Sequence, residues 1–179
     1  MRTVFLSMCA MAALVAALWV SPVQAADVTV TATILSVSVS VTSGSPVAFG
    51  IVAASSTTRS TVAAVIANDG NVNETYSLSL TDPVADWTAA ATAGANEYVL
   101  SAMFSTAAPG ATFGAEDVLA LAPPVACTAT VFGNTVAGES GLVVPMSEAR
   151  NLWLEFKAPT TTSSYAQKTI TVTITADAS

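Results

Sequence analysis

Apolar and polar residues alternate along much of the chain, most clearly between Thr61 and Trp87. Val62, Val65 and Ile66 lead into the polar stretch Asn68-Asp69-Gly70-Asn71, after which Tyr76, Leu78 and Leu80 alternate with Ser77, Ser79 and Thr81. A period of two sends one row of side chains to each face of a strand. The residues between tolerate positive φ and bond their own backbone. The pattern therefore predicts two strands joined as a hairpin, with Pro83 closing the second because it has no ladder donor. Asp27–Thr42 alternates for longer but changes phase. Val28, Val30 and Ile34 lie on one parity, and Leu35, Val37, Val39 and Val41 on the other. Such a flip marks a bulge or a strand that leaves one sheet for the other.

Further strands are expected at Val47–Val52, Glu97–Phe104, Val125–Phe132, Asn151–Lys157 and Thr169–Thr175. Leu142–Pro145 reads as an edge segment because of its proline. Thr88–Asn96 reads as a loop or weak edge strand, Ala53–Arg59 as a loop, and Glu116-Asp117 is placed to start one helical turn. About eight strands, separated by Gly, Pro, Asn and Ser turns, predict an all-β fold: a single antiparallel β-sandwich. No βαβ alternation, heptad or tandem repeat is visible in the sequence.

Residues 1–25 are set apart from the fold. Arg2 is followed by an apolar run from Val4 to Val20, Pro22 breaks it, and Val23-Gln24-Ala25 fits a cleavage site. No basic cluster follows Val20, so a cleaved signal peptide is expected rather than a retained membrane span. The remaining residues, 26–179, are a common size for one domain. Losing Arg2 leaves 4 basic against 12 acidic residues, a net charge of −8. An acidic chain without a basic cluster argues against nucleic acid as a partner. Cys9 leaves with the leader, so Cys127 stands without an intrachain partner, and its strand-like surroundings suggest a buried thiol.

Histidine is absent, which removes the commonest general base and the usual partner of a Ser or Cys nucleophile. Gly138-Glu139-Ser140-Gly141 departs from a nucleophile elbow because its second glycine comes one residue early. Asp69, Asn71, Asn73 and Glu74 put oxygen side chains near one another, as a Ca²⁺ loop does. However, Glu74 stands where that loop needs glycine and Leu80 where it needs a bidentate acid. The residues thus point to no catalytic site, metal or cofactor. Asn73-Glu74-Thr75 is a glycosylation sequon. Trp87, Tyr98, Trp153 and Tyr165 are the aromatics available for a sugar-binding platform. Trp153 has the opposite parity to Leu152, Leu154 and Phe156, and is expected to be an exposed aromatic contact.

Asn68-Asp-Gly-Asn-Val-Asn-Glu-Thr-Tyr-Ser-Leu-Ser-Leu80, followed by Trp87, resembles the Asn-x-Gly-Asn hairpin of secreted immunoglobulin-like domains of bacterial and archaeal surface proteins. That resemblance implies an immunoglobulin-like sandwich and an extracellular setting, without an activity. A weaker similarity is to sandwich subunits of extracellular filaments. The expected function is a non-catalytic structural or assembly protein of the cell surface, capable of self-association. The alternative is a carbohydrate-binding accessory module whose partner is a polysaccharide. For the first reading, the segment containing Val28, Val30, Ile34, Val37, Val39 and Val41 is the candidate for strand exchange between subunits. An ordinary first strand that switches sheets within one subunit accounts for the same pattern.

Overall fold

Residues 31–82, 85–109, 113–136 and 138–179 are described by a computed structural model. The proposed leader, Val28, Val30 and Pro83 lie outside them. The strands are β1 (Val39–Ser43), β2 (Thr57–Arg59), β3 (Ala64–Asn68), β4 (Glu74–Thr81), β5 (Thr88–Ala89), β6 (Glu97–Phe104), β7 (Val125–Ala126), β8 (Ala149–Lys157) and β9 (Thr171–Ala178). Glu116 and Asp117 fall in a short 3₁₀ turn, Ala115–Asp117.

These strands form two sheets. The six-stranded one has the order β1-β3-β8-β6-β5, with β2 also on β8; the three-stranded one has the order β7-β4-β9. β2 pairs with Glu155–Lys157 and β3 with Ala149–Leu152, so the two lie end to end along one edge of β8. Ser60 joins them: its N–H donates to the Leu154 carbonyl, and its hydroxyl accepts the Leu154 N–H. The fold is thus all-β and sandwich-like. It departs from a purely antiparallel sandwich, since β5 runs parallel to β6 and isolated parallel bridges join Leu80 to Leu121 and Phe104 to Gly133.

The expected hairpin is not a hairpin. β3 belongs to the larger sheet and β4 to the smaller, so residues 69–73 form an arch between sheets. Both edges of β3 are occupied, by β1 and β8, and both edges of β4 by β7 and β9. Alternation reports which face a residue takes, not which strand lies beside it. Other expectations change as well, and Thr57–Arg59 pairs as β2 inside the expected loop Ala53–Arg59. Val47–Val52 makes no strand, but Val47, Phe49 and Val52 pack on the core as a loop, with Phe49 5.5 Å from the Phe156 ring. Only Val125–Ala126 of Val125–Phe132 pairs as a strand, and Leu142–Pro145 is reduced to a bridge between Val144 and Glu74.

β8 organises the core. Leu152, Leu154 and Phe156 are buried from it, opposite Phe104, Ala102 and Leu100 of β6. Tyr76, Leu78 and Leu80 face them from β4 and are at most 2% exposed. At about 25 cal/mol per Å² of apolar surface, burying such side chains is the main favourable term in folding.

Candidate functional site

The arch is a polar node set in this apolar frame. Asn68 is 1% exposed: its Nδ2 donates to the carbonyls of Val72 (2.8 Å) and Val144 (2.9 Å), and its Oδ1 accepts the Gly70 N–H (2.9 Å). Three bonds through one amide fix the turn and tie it to the loop before β8. Glu74 is fully buried, and its Oε1 accepts the Ser38 N–H at 2.7 Å. Asn71 reaches the same upstream segment. Its N–H donates to the Ser36 carbonyl, its Oδ1 accepts the Ser36 N–H, and its Nδ2 donates to the Ile34 carbonyl. A β-carbon on Gly70 would approach the Ser36 carbonyl oxygen to 2.6 Å, so only glycine fits that crossing.

Of the oxygen-rich residues that suggested a Ca²⁺ loop, Asn71 and Glu74 thus spend their side chains on backbone. Among the described residues, no three Asp, Glu or Cys side chains are grouped to hold a metal ion. Three buried atoms near the node lack a partner: Glu74 Oε2, the Tyr76 hydroxyl and Arg150 Nε. Burial, reinforced by Glu74, raises the Tyr76 hydroxyl pKa well above its ordinary value. The sequence offered one clue to this node, an Asn and a Glu flanking a glycine turn. Only burial distinguishes it from a solvated loop.

Beside the node, β1 and β9 are edge strands of the two sheets, each paired on one side among the described residues. Val41 lies opposite Ile66 and so shares its core-facing row, yet Val41 is 49% exposed while Ile66 is 0%. In the other sheet, Val172, Ile174 and Ala176 lie opposite Leu80, Leu78 and Tyr76; the β4 residues are buried and the β9 residues half-buried. The core is thus roofed on its β4 side and left partly open along β1 and β9. Main-chain groups follow the same division. The N–H groups of Glu74, Tyr76 and Leu80 bond away from β9, to Val144, Gly141 and Ala120. Alternation then assigns the β9 ladder bonds to Thr171, Thr173, Thr175 and Asp177, and turns the polar groups of Val172, Ile174 and Ala176 to the open edge. The same reasoning applies to β1. Ser36 and Ser38 bond the arch, so the main-chain groups of Val37, Val39 and Val41 face the opposite edge. Comparison with protein-family models, curated proteins and solved structures finds no match.

The residues singled out from sequence divide around these two edges. Val39 packs against the core, whereas Val37 and Val41 are exposed. Ile34 is 87% exposed although it is a large apolar residue. Trp153 is only half-buried, as expected from its parity, but it is not a free contact. Its indole N–H donates to the Ser105 carbonyl at 3.1 Å, and its ring lines a small cleft with Arg59, Pro109 and Phe113. The other aromatics form no external platform. Trp87 stacks on Phe156 at 6.0 Å and lies beside the buried Tyr98, leaving Tyr165 as the exposed aromatic among the described residues.

The remaining reactive groups are committed to structure. Cys127 is 1% exposed and burial pushes its thiol pKa up to about 12. A β-carbon on Gly141 would approach its sulfur to 2.6 Å, so the thiol is sealed by a glycine. Ser140 is occupied in a turn, its hydroxyl accepting the Leu142 N–H, while Glu139 accepts from Thr106 and Asn134. Those bonds hold the Glu139 carboxyl below its ordinary pKa. Asp117 accepts N–H groups from Gly114 and Phe132; burial outweighs both donors and raises it to about 6.

Proposed function

We propose that this protein is an exported, non-catalytic structural or assembly subunit of the cell surface or extracellular space, built on an immunoglobulin-like plan. The observation that carries the reading is a core whose inward rows stay half-exposed along both free edges. An immunoglobulin constant-type sandwich places strands A, B, E and D in one sheet and C, F and G in the other. β1, β3, β8 and β6 correspond to A, B, E and D in order, and the arch from β3 to β4 corresponds to the B-to-C crossing. β4 and β9 take C and F, with no described strand in the G position. A subunit with an uncovered core edge gains from association, because covering apolar surface is favourable.

The signal peptide expected from residues 1–25 supports the extracellular setting, and secreted material is expected to begin at Ala26. Light scattering and negative-stain microscopy of that material test the reading. Concentration-dependent oligomers or filaments are expected, and a monomer at all concentrations overturns it. The carbohydrate-binding alternative draws no support from the aromatics, which lie mostly in the core. Retention on insoluble polysaccharide would restore it.

A further inference from the structure

We infer that Asn73 is an N-glycosylation site, its side-chain nitrogen carrying an oligosaccharide in the secreted protein. The inference rests on the export expected from residues 1–25 and is independent of assembly.

The other asparagines spend their side chains on structure. The amides of Asn68, Asn71, Asn96, Asn134 and Asn151 each bond a neighbouring residue. Asn73 is exposed, and its side chain bonds none of the described residues. It is also the one asparagine of the sequence that stands two residues before a Ser or Thr with no proline between, the acceptor pattern for an N-linked glycan. The free amide and the acceptor pattern thus fall on the same residue.

The fold leaves space for the sugar. Glu74, the first residue of β4, is fully buried. The ladder between β4 and β9 runs on by one bond, with the Asn73 carbonyl accepting the Ser179 N–H at 2.9 Å. In such extended backbone the side chains on either side of Glu74 project away from it, so Asn73 and Thr75 share the outer face. A bulky, hydrated group on Asn73 therefore stands outside the core, as a glycan must.

The order of events follows from sequence separation. In the folded protein the Thr75 hydroxyl lies 2.6 Å from the Ser179 hydroxyl and accepts the Val143 N–H at 3.3 Å. Those partners lie 104 and 68 residues further along the chain. A newly exported chain has made neither bond, and the hydroxyl that the acceptor pattern requires is then free. Attachment precedes folding, and the exposed Asn73 side chain keeps the sugar in solvent afterwards.

The sugar donor is a lipid-linked oligosaccharide, and the catalyst a membrane transferase of the host. The Asn73 nitrogen bonds to the anomeric carbon of the first sugar. The bond from that carbon to the lipid phosphate breaks, and the phosphate leaves with the electron pair. A base of the transferase takes the proton lost from nitrogen, and nothing is oxidised or reduced.

Intact mass and peptide mapping of the protein secreted by its native host test this. The mass is expected to exceed that of the chain from Ala26 by whole sugar residues, with the excess on the peptide that contains Asn73. Asn73→Gln breaks no hydrogen bond of the fold and is expected to be secreted without the excess. Thr75→Ser is expected to keep it. A secreted chain of bare sequence mass, or an excess that persists in Asn73→Gln, overturns the site and leaves the export reading standing. A chain that stays in the cell with residues 1–25 attached overturns both.

Discussion

Asn68 illustrates how a polar residue can be part of a core. Each of its amide bonds satisfies a backbone group at a buried or part-buried position. Asn68→Ala leaves the Val72 carbonyl and the Gly70 N–H without partners and takes one of two donors from the Val144 carbonyl, and is expected to cost about 2 kcal/mol by chemical denaturation. Asp117 gives a pH signature. Its native pKa of about 6 lies above the ordinary 3.8, so the folded state holds a proton that the unfolded chain has released. Folding stability from this group is therefore greatest below about pH 4, falls as pH rises toward 6, and is level above that. Denaturation curves between pH 4 and 7 should show this slope in the wild type, and a smaller one in Asp117→Asn.

At the scale of elements, β8 is the strand on which the larger sheet depends. Its partners β2, β3 and β6 cover both of its edges, and its inward row is buried. Leu152→Ala should lower stability by roughly 2–5 kcal/mol, the usual range for a truncated core leucine. Trp153→Phe, one residue on, loses only the bond to Ser105 and should cost about 1 kcal/mol. Equilibrium unfolding of the pair separates the two faces of one strand. The loop that follows β7 makes a kinetic prediction. Cys127 should resist a thiol reagent in the native protein and react at the rate of unfolding, because burial both hides the sulfur and keeps it protonated.

For the whole molecule, stability should not depend on a divalent cation. Two of the arch residues with Ca²⁺-like spacing, Asn71 and Glu74, already bond backbone, so EDTA is expected to leave Tm unchanged in a thermal scan. A fall of several degrees would require a metal site elsewhere in the chain. The sandwich-like architecture also makes the two sheets unequal. The six-stranded sheet covers the core on one side, while the three-stranded sheet leaves it half-covered along β9.

Strand existence was legible in the sequence where alternation was long. β4, β6, β8 and β9 each overlap a stretch whose period-two rows predict a strand, because a pleated strand with one buried face leaves that trace in the sequence. The short apolar runs were not legible in the same way. Val47–Val52 carries strand-like residues but packs as a loop, because tertiary contact with Phe156 satisfies its side chains without a ladder. The Asn68–Glu74 turn was visible as a turn, while its role as an inter-sheet arch depended on partners 70 or more residues away, such as Val144. The exposure along β1 and β9 lay furthest from the sequence. Val172 reads there as one of an alternating row and Val41 as part of a segment with two possible uses, and their exposure follows only from which strands occupy the sheet edges beside them. Local periodicity fixes which face of a strand is apolar; the order of strands in space decides whether that face is covered.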